Sequence, residues 1–168
     1  TIFNILGPLT NPAGAKLELM GVFHPDLVGV QAHVLQQLGS RHVMVVHGLE
    51  GLDEISISGP TMVGELKDNK ISEYHIAPQD FGLKTHDITA IRVDGVERSK
   101  AMVLAALANE TGAARDIVAL NAGAGIYVAG LAPSLAEGVR KALAVIASGA
   151  ARRKLDAFVG FTQSARDQ

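Results

Sequence analysis

The chain has no cysteine and no tryptophan among its 168 residues. Without a thiol, disulfide staples, thiolate zinc sites and cysteine nucleophiles are excluded. Aromatic residues are scarce, five Phe and two Tyr, and the formal net charge is only −2. A stacking platform for single-stranded nucleic acid and a broadly basic surface are therefore not expected. No apolar run approaches the roughly 20 residues that cross a bilayer. No basic-then-apolar leader opens the chain, so no signal peptide is visible, and a cytoplasmic location without membrane contact is expected. There is also no Gly-x-Ser-x-Gly elbow, Gly-x-Gly-x-x-Gly fingerprint or Walker lysine, which removes support for α/β-hydrolase, dinucleotide and P-loop chemistry.

Apolar residues and glycine are plentiful. Hydrophobic residues make up 48% of the chain and glycines number 18, the mean hydropathy is +0.23, and the length suits one domain over 1–168 that buries roughly two thirds of its unfolded surface. Thr1 opens without Met in an apolar segment, which suggests processing or a fragment. Residues 1–23, with Gly7-Pro8 and Asn11-Pro12, are expected to form an ordered, buried loop, since proline biases the preceding residue away from the α region. Leu27, Val30, Val34 and Leu38, opened by Pro25-Asp26 and closed by Gly39, predict an amphipathic helix. The β-branched run His42–Val46 predicts a buried, parallel strand. Ile55–Ser58 alternates like a half-buried strand, and 61–66 and 71–76 predict a hairpin turning at Lys67-Asp68-Asn69-Lys70.

Residues 77–95 look irregular. Three helices are predicted beyond them, over Val96–Ala108, Thr111–Gly130 and Ser134–Ala147, the last opened by the capping box Ser134-Leu135-Ala136-Glu137. Gly123 and Gly125 are costly inside a helix, about 1 kcal/mol each, unless another element packs close against that backbone. A short helix is expected from Arg152, with Arg152-Arg153-Lys154 at a solvated helix end. The order of elements predicts an α/β fold, a layered mixed sheet with flanking helices.

Candidate chemistry is sparse. Asp53-Glu54 follows the predicted buried strand, at the end where open α/β sheets place ligands. Hard oxygen donors suit Mg²⁺, which is often held by one or two carboxylates plus water and substrate phosphates. Adjacent strand residues point to opposite faces, so the pair can share an ion only from a turn ahead of Ile55. An exposed acidic loop is the plainer reading. Gly7 to Pro12 could wall a small-molecule pocket or serve only as a crossover turn. His47 could be a general base at a strand end, or simply the polar residue that ends the strand. The six His lack metal-ligand spacing.

Together, Thr1-Ile2-Phe3-Asn4-Ile5-Leu6-Gly7-Pro8-Leu9-Thr10-Asn11-Pro12, Val46-His47-Gly48 with Gly51-Leu52-Asp53-Glu54-Ile55-Ser56, and Leu120-Asn121-Ala122-Gly123-Ala124 through Tyr127-Val128-Ala129-Gly130 resemble the anthranilate phosphoribosyltransferase family of tryptophan biosynthesis. The resemblance implies a nucleoside phosphorylase/phosphoribosyltransferase-like domain and transfer of phosphoribosyl from phosphoribosyl pyrophosphate (PRPP) to anthranilate, with pyrophosphate leaving. It implies that Asp53 and Glu54 bind Mg²⁺ and that Gly7, Pro8 and Asn11 bind substrate, with no catalytic base assigned.

It further implies that this chain is the later part of a domain whose upstream half carries the Gly-Thr-Gly-Gly-Asp phosphate loop, a Lys-His-Gly-Asn-type segment and a homodimer interface. Neither sequence motif occurs here. The chain alone is then expected to be inactive, with an exposed apolar edge or face. A pyrimidine nucleoside phosphorylase-like enzyme, a non-catalytic nucleic-acid-binding relative and a purely structural fragment are the competing readings.

Overall fold

The computed structural model describes residues 2–165. In chain order the elements are α1 (Ile2–Leu9), β1 (Leu17–Gly21), α2 (Asp26–Gln37), β2 (His42–Gly48), β3 (Thr61–Lys67), β4 (Lys70–Ile76), α3 (Val96–Leu107), α4 (Ala113–Val128), α5 (Leu135–Ala147) and α6 (Ala150–Ser164). Residues 77–95 hold two 3-10 turns, Pro78–Phe81 and Ile88–Ile91.

The strands lie in the order β1-β2-β3-β4. β1 pairs parallel to β2, while β2–β3 and β3–β4 are antiparallel. The continuous apolar run of β2 follows from covering on both faces. Val43 and Val45 pack with Val28, Ala32 and Leu35 of α2. Met44 and Val46 pack on the other side with Leu120, Ala124 and Val128 of α4 and Val139 of α5. The sheet is thus the middle layer between α2 and the α4–α5 pair. At the hairpin tip Asp68 and Asn69 have φ of 50° and 59°, the left-handed pair of a tight turn whose twist matches that of its strands.

Of the two glycines of α4, Gly123 acts as the packing argument requires, whereas a Cβ on Gly125 would meet nothing within 4 Å, so no close approach offsets its cost. A Cβ added to Gly123 would lie 2.6 Å from the Val139 backbone, and one added to Gly138 would lie 2.2 Å from the Gly123 carbonyl oxygen. The two helix backbones touch there, and this contact offsets the propensity cost of glycine. At the start of α5 Ser134 Oγ accepts from the Glu137 amide, 3.2 Å. Only that half of the capping box forms among the described residues, because the Glu137 carboxylate pairs with Arg140.

The fold departs from the sequence reading in three places. Of the segment 1–23, Thr1 lies outside the described residues, and residues 2–23 are not a buried loop: α1 and β1 lie within them, and Phe3, Leu6 and Leu17 are exposed. Pro8 stands in the last turn of α1, where its missing donor removes only a terminal helix bond. Ile55–Ser58 is no strand, although Ile55, Ser56 and Ile57 are buried. The tail is longer than expected, 15 residues of helix. Its basic start is held by a 3.0 Å Arg152–Asp156 ion pair and by Arg153 Nη1 donating to the Ser148 carbonyl. Apolar side chains, including Val96, Val103, Phe158, Val159 and Phe161, are exposed along α3 and α6. β1 and β4 are the edges of the described sheet.

Candidate functional site

The acidic pair sits in the connection from β2 to β3. At its start the Gly48 amide donates to the Leu52 carbonyl at 2.7 Å, and the Gly51 amide returns to Gly48 at 2.8 Å. Gly51 has φ of 103°, a left-handed conformation that L side chains resist. Leu49 N donates to Pro60 O at 3.1 Å and closes the loop. Asp53 and Glu54 therefore occupy bends ahead of Ile55, as a shared ion requires, and both side chains are exposed. A Cβ on Gly21 would lie 1.7 Å from the Asp53 carbonyl oxygen. Only glycine at the end of β1 admits this approach, which pins the acidic turn over the strand end.

The backbone after the pair is satisfied mostly by side chains, and at Ile57 by a single loop amide, rather than by a neighbouring strand, and this is why the alternating 55–58 segment is not a strand. Asn121 Oδ1 accepts from Ile55 N at 2.9 Å, and its Nδ2 donates to Ile55 O at 3.0 Å. Ser56 N donates to Thr61 Oγ1 at 2.8 Å, and Ser58 N to Ser56 Oγ at 2.9 Å. The Ile57 carbonyl accepts from His86 N at 3.0 Å. Ser56 Oγ donates to Glu50, which removes that third acid from the open side of the loop.

Among the described residues neither Asp53 nor Glu54 takes part in a side-chain hydrogen bond or ion pair. Partial burial pushes the Glu54 carboxyl up from its ordinary value, and the Asp53 charge adds to the rise. A cation there would relieve both penalties. No group of three or more metal-ligating side chains occurs among the described residues. Two free oxygen donors fit Mg²⁺ bound mainly through water and a substrate's phosphates, and they do not fit an all-protein cage. Beside the pair is a recess of about 390 Å³ lined by Glu54, Ile117, Val118, Asn121 and Ala122.

The structure does not bring Gly7, Pro8 and Asn11 to this turn. Gly7 and Pro8 belong to α1, and Asn11 Oδ1 accepts from Ala13 N at 2.9 Å in a local turn. Pro8 and Asn11 line a recess of about 200 Å³ with Lys16, Glu18, Leu35 and Ser40, near the start of β1. The acidic turn lies at the other end of that strand, roughly 10 Å away or more at about 3.3 Å per residue.

His47 is buried and its Nδ1 donates to the Val22 carbonyl at 2.7 Å, tying the end of β2 to the segment after β1. It is the strand-ending polar residue of the plainer reading. The sequence reading missed the role of Asn121. Its signal was a weak helix former inside an Ala/Gly-rich helix, next to positions that face the core.

A second carboxylate, Glu65 of β3, is buried and fully engaged. It accepts from Tyr74 and Tyr127 at 2.8 Å each and from His42 Nε2 at 2.9 Å. Burial pushes its carboxyl up, but these hydrogen bonds and the His42 charge outweigh that and hold it below the ordinary value. Lys67 Nζ donates to Tyr127 Oη at 3.0 Å and closes the cluster.

Comparison with known proteins agrees with this architecture. An anthranilate phosphoribosyltransferase of Polynucleobacter asymbioticus is 63% identical over 164 residues, 98% of this chain and 48% of that protein. The crystal structure of the Thermus thermophilus anthranilate phosphoribosyltransferase superposes with a TM-score of 0.88 at 43% identity, covering 97% of this chain and 48% of that one. Anthranilate phosphoribosyltransferase from Saccharomyces cerevisiae, solved in complex with PRPP and Mg and with 4-fluoroanthranilate, superposes with a TM-score of 0.83 at 26% identity, covering 98% and 48%. The chain thus spans about half the length of the curated relatives it matches. The family described as the glycosyl transferase family, a/b domain, matches residues 1–152, and the chain belongs to that family.

Proposed function

We propose that this chain contributes the Mg²⁺-binding part of an anthranilate phosphoribosyltransferase, which transfers phosphoribosyl from PRPP to anthranilate and releases pyrophosphate. The observation that carries the reading is the pair of exposed carboxylates, without protein partners among the described residues, in a turn pinned over the end of β1. Its support from relatives is that the yeast enzyme of the same fold was solved with PRPP and Mg.

In this reaction the bond from the ribose anomeric carbon to pyrophosphate breaks with its electron pair leaving on pyrophosphate, a bond to the anthranilate nitrogen forms, and that nitrogen passes a proton to water. When bound, Mg²⁺ offsets the negative charge that grows on the departing pyrophosphate. Asp53 and Glu54 would hold it by their carboxylate oxygens, leaving the rest of its shell to water and phosphate oxygens. The chain's contribution is positioning and charge placement, and no strong base among its residues is required. Gly7, Pro8 and Asn11 are proposed to line the anthranilate route. Because they stand at the opposite end of β1 from the acidic turn, this assignment calls for a substrate path that runs along the strand.

The test follows the loss of anthranilate fluorescence with PRPP and Mg²⁺ in the longest native polypeptide carrying this sequence. The proposal expects consumption that requires Mg²⁺ and falls by about 100-fold in Asp53→Asn/Glu54→Gln, as for loss of a preorganised charge-stabilising group. Full activity in that variant, or phosphorolysis of thymidine without anthranilate consumption, overturns it.

A further inference from the structure

We propose that Asn121 is a positioning residue for the acidic turn, a side-chain clamp that sets where Asp53 and Glu54 present their carboxylates. The inference rests on the Mg²⁺ reading of that pair. Asn121 lies on α4, 66 positions from Ile55, yet its amide makes both backbone bonds that a neighbouring strand would have made there. The remaining Nδ2 proton goes to Ile117 O at 3.0 Å, one helical turn back. Both Nδ2 protons and one lone pair of Oδ1 are used, and the orientation of the amide follows: a flipped amide would face two carbonyl oxygens with its own oxygen.

The clamp closes on the residue directly after Glu54. The acidic turn is thereby held from two sides, by the Asp53 carbonyl against Gly21 and by Ile55 against Asn121. Between these anchors the carboxylates have no partner of their own among the described residues, so their placement comes from the backbone. Asn121 and Glu54 also line the same recess, which puts the clamp beside the carboxylate it orients. Residues that orient metal ligands without touching the metal typically change metal affinity by about 10–100-fold when removed.

The test uses the longest native polypeptide carrying this sequence, with Asn121→Ala, Asn121→Asp and Asp53→Asn. Asn121→Asp keeps the side-chain volume and the acceptor for Ile55 N but turns an oxygen toward two carbonyls, so it carries the test if Asn121→Ala fails to fold. Binding is read with Mn²⁺ and PRPP from the electron paramagnetic resonance signal of free Mn²⁺. Hydrogen exchange is read on the peptide spanning residues 51–58, and the Mg²⁺ concentration for half-maximal rate is measured separately from kcat at saturating Mg²⁺.

The expected result is Mn²⁺ affinity weakened by about 10-fold or more in both Asn121 variants, faster exchange at Ile55, and a raised Mg²⁺ requirement with kcat changed less. A purely structural role lowers thermal stability yet leaves the Mn²⁺ affinity of the folded protein unchanged, and that outcome overturns the proposal. If Asp53→Asn binds Mn²⁺ as the parent does, the metal reading itself fails. If Asp53→Asn loses binding while the folded Asn121 variants keep it, only the clamp fails.

Discussion

Glu65, on β3, and the Asp53-Glu54 pair, in the turn that leads into β3, are carboxylates with opposite fates. Glu65 is buried and accepts from two tyrosines and a histidine. Asp53 and Glu54 are exposed and accept from no described side chain. A carboxylate whose lone pairs are saturated by protein donors gains a lowered pKa and rigidity, and it has little left to offer a ligand. A pair held close together without donors keeps its repulsion and its lone pairs, the state from which an added cation gains most. Partner geometry, and not charge, separates an acid tied into the fold from a pair left open to a ligand.

The largest effect that could break this comparison is catalytic. Asp53→Asn/Glu54→Gln should cost about 100-fold in rate at fixed Mg²⁺ while moving the thermal midpoint little. A large loss of stability in that variant would place the pair with Glu65 as structural acids. Next in size is Glu65→Ala, which takes the shared acceptor from the part-buried Tyr74 and Tyr127 hydroxyls and the His42 imidazole, leaving Tyr127 only its bond from Lys67. Denaturant unfolding should show a loss of about 3 kcal/mol, with the Mg²⁺ requirement of any activity unchanged.

The pH dependence sharpens the contrast. Glu65 has a folded pKa below its unfolded value, so its contribution is present above about pH 4.3 and is lost as pH falls through the lowered folded value. Melting curves of Glu65→Gln should be lower than the parent at neutral pH and converge toward it in acid. Glu54 runs the other way. Its raised folded value means that the folded state holds the proton more tightly, so ionisation at neutral pH works against folding. Exposure screens this effect, and Glu54→Gln should stabilise the metal-free protein by only about a few tenths of a kcal/mol. A clear destabilisation would show that Glu54 has a structural partner.

Local chemistry made much of this fold legible in the sequence. The spacing of Leu27 to Leu38, the β-branched run of β2 and the Lys67–Lys70 turn each report a nearby constraint, and α2, β2 and the β3–β4 hairpin formed as expected. Gly123 signalled a close approach, and Val139 supplies it. What stayed hidden depends on distant partners. Ile55 and Ile57 point inward as strand residues do, but Asn121 and His86 take the backbone groups that a neighbouring strand would have paired, and no periodicity announces that. β1 is a short edge strand following Pro- and Gly-rich sequence, so its pattern was masked. The acidic pair was legible as a turn after β2, whereas the Gly21 contact and the Asn121 clamp that hold it were not.

The central claim is that Asp53 and Glu54 hold a divalent cation together with the phosphates of PRPP. The most direct measurement is calorimetric titration of Mg²⁺ into the longest native polypeptide carrying this sequence, with and without PRPP, beside Asp53→Asn/Glu54→Gln. The account predicts Mg²⁺ binding that tightens with PRPP and is lost in the double variant. Equal binding by the parent and the double variant would contradict it.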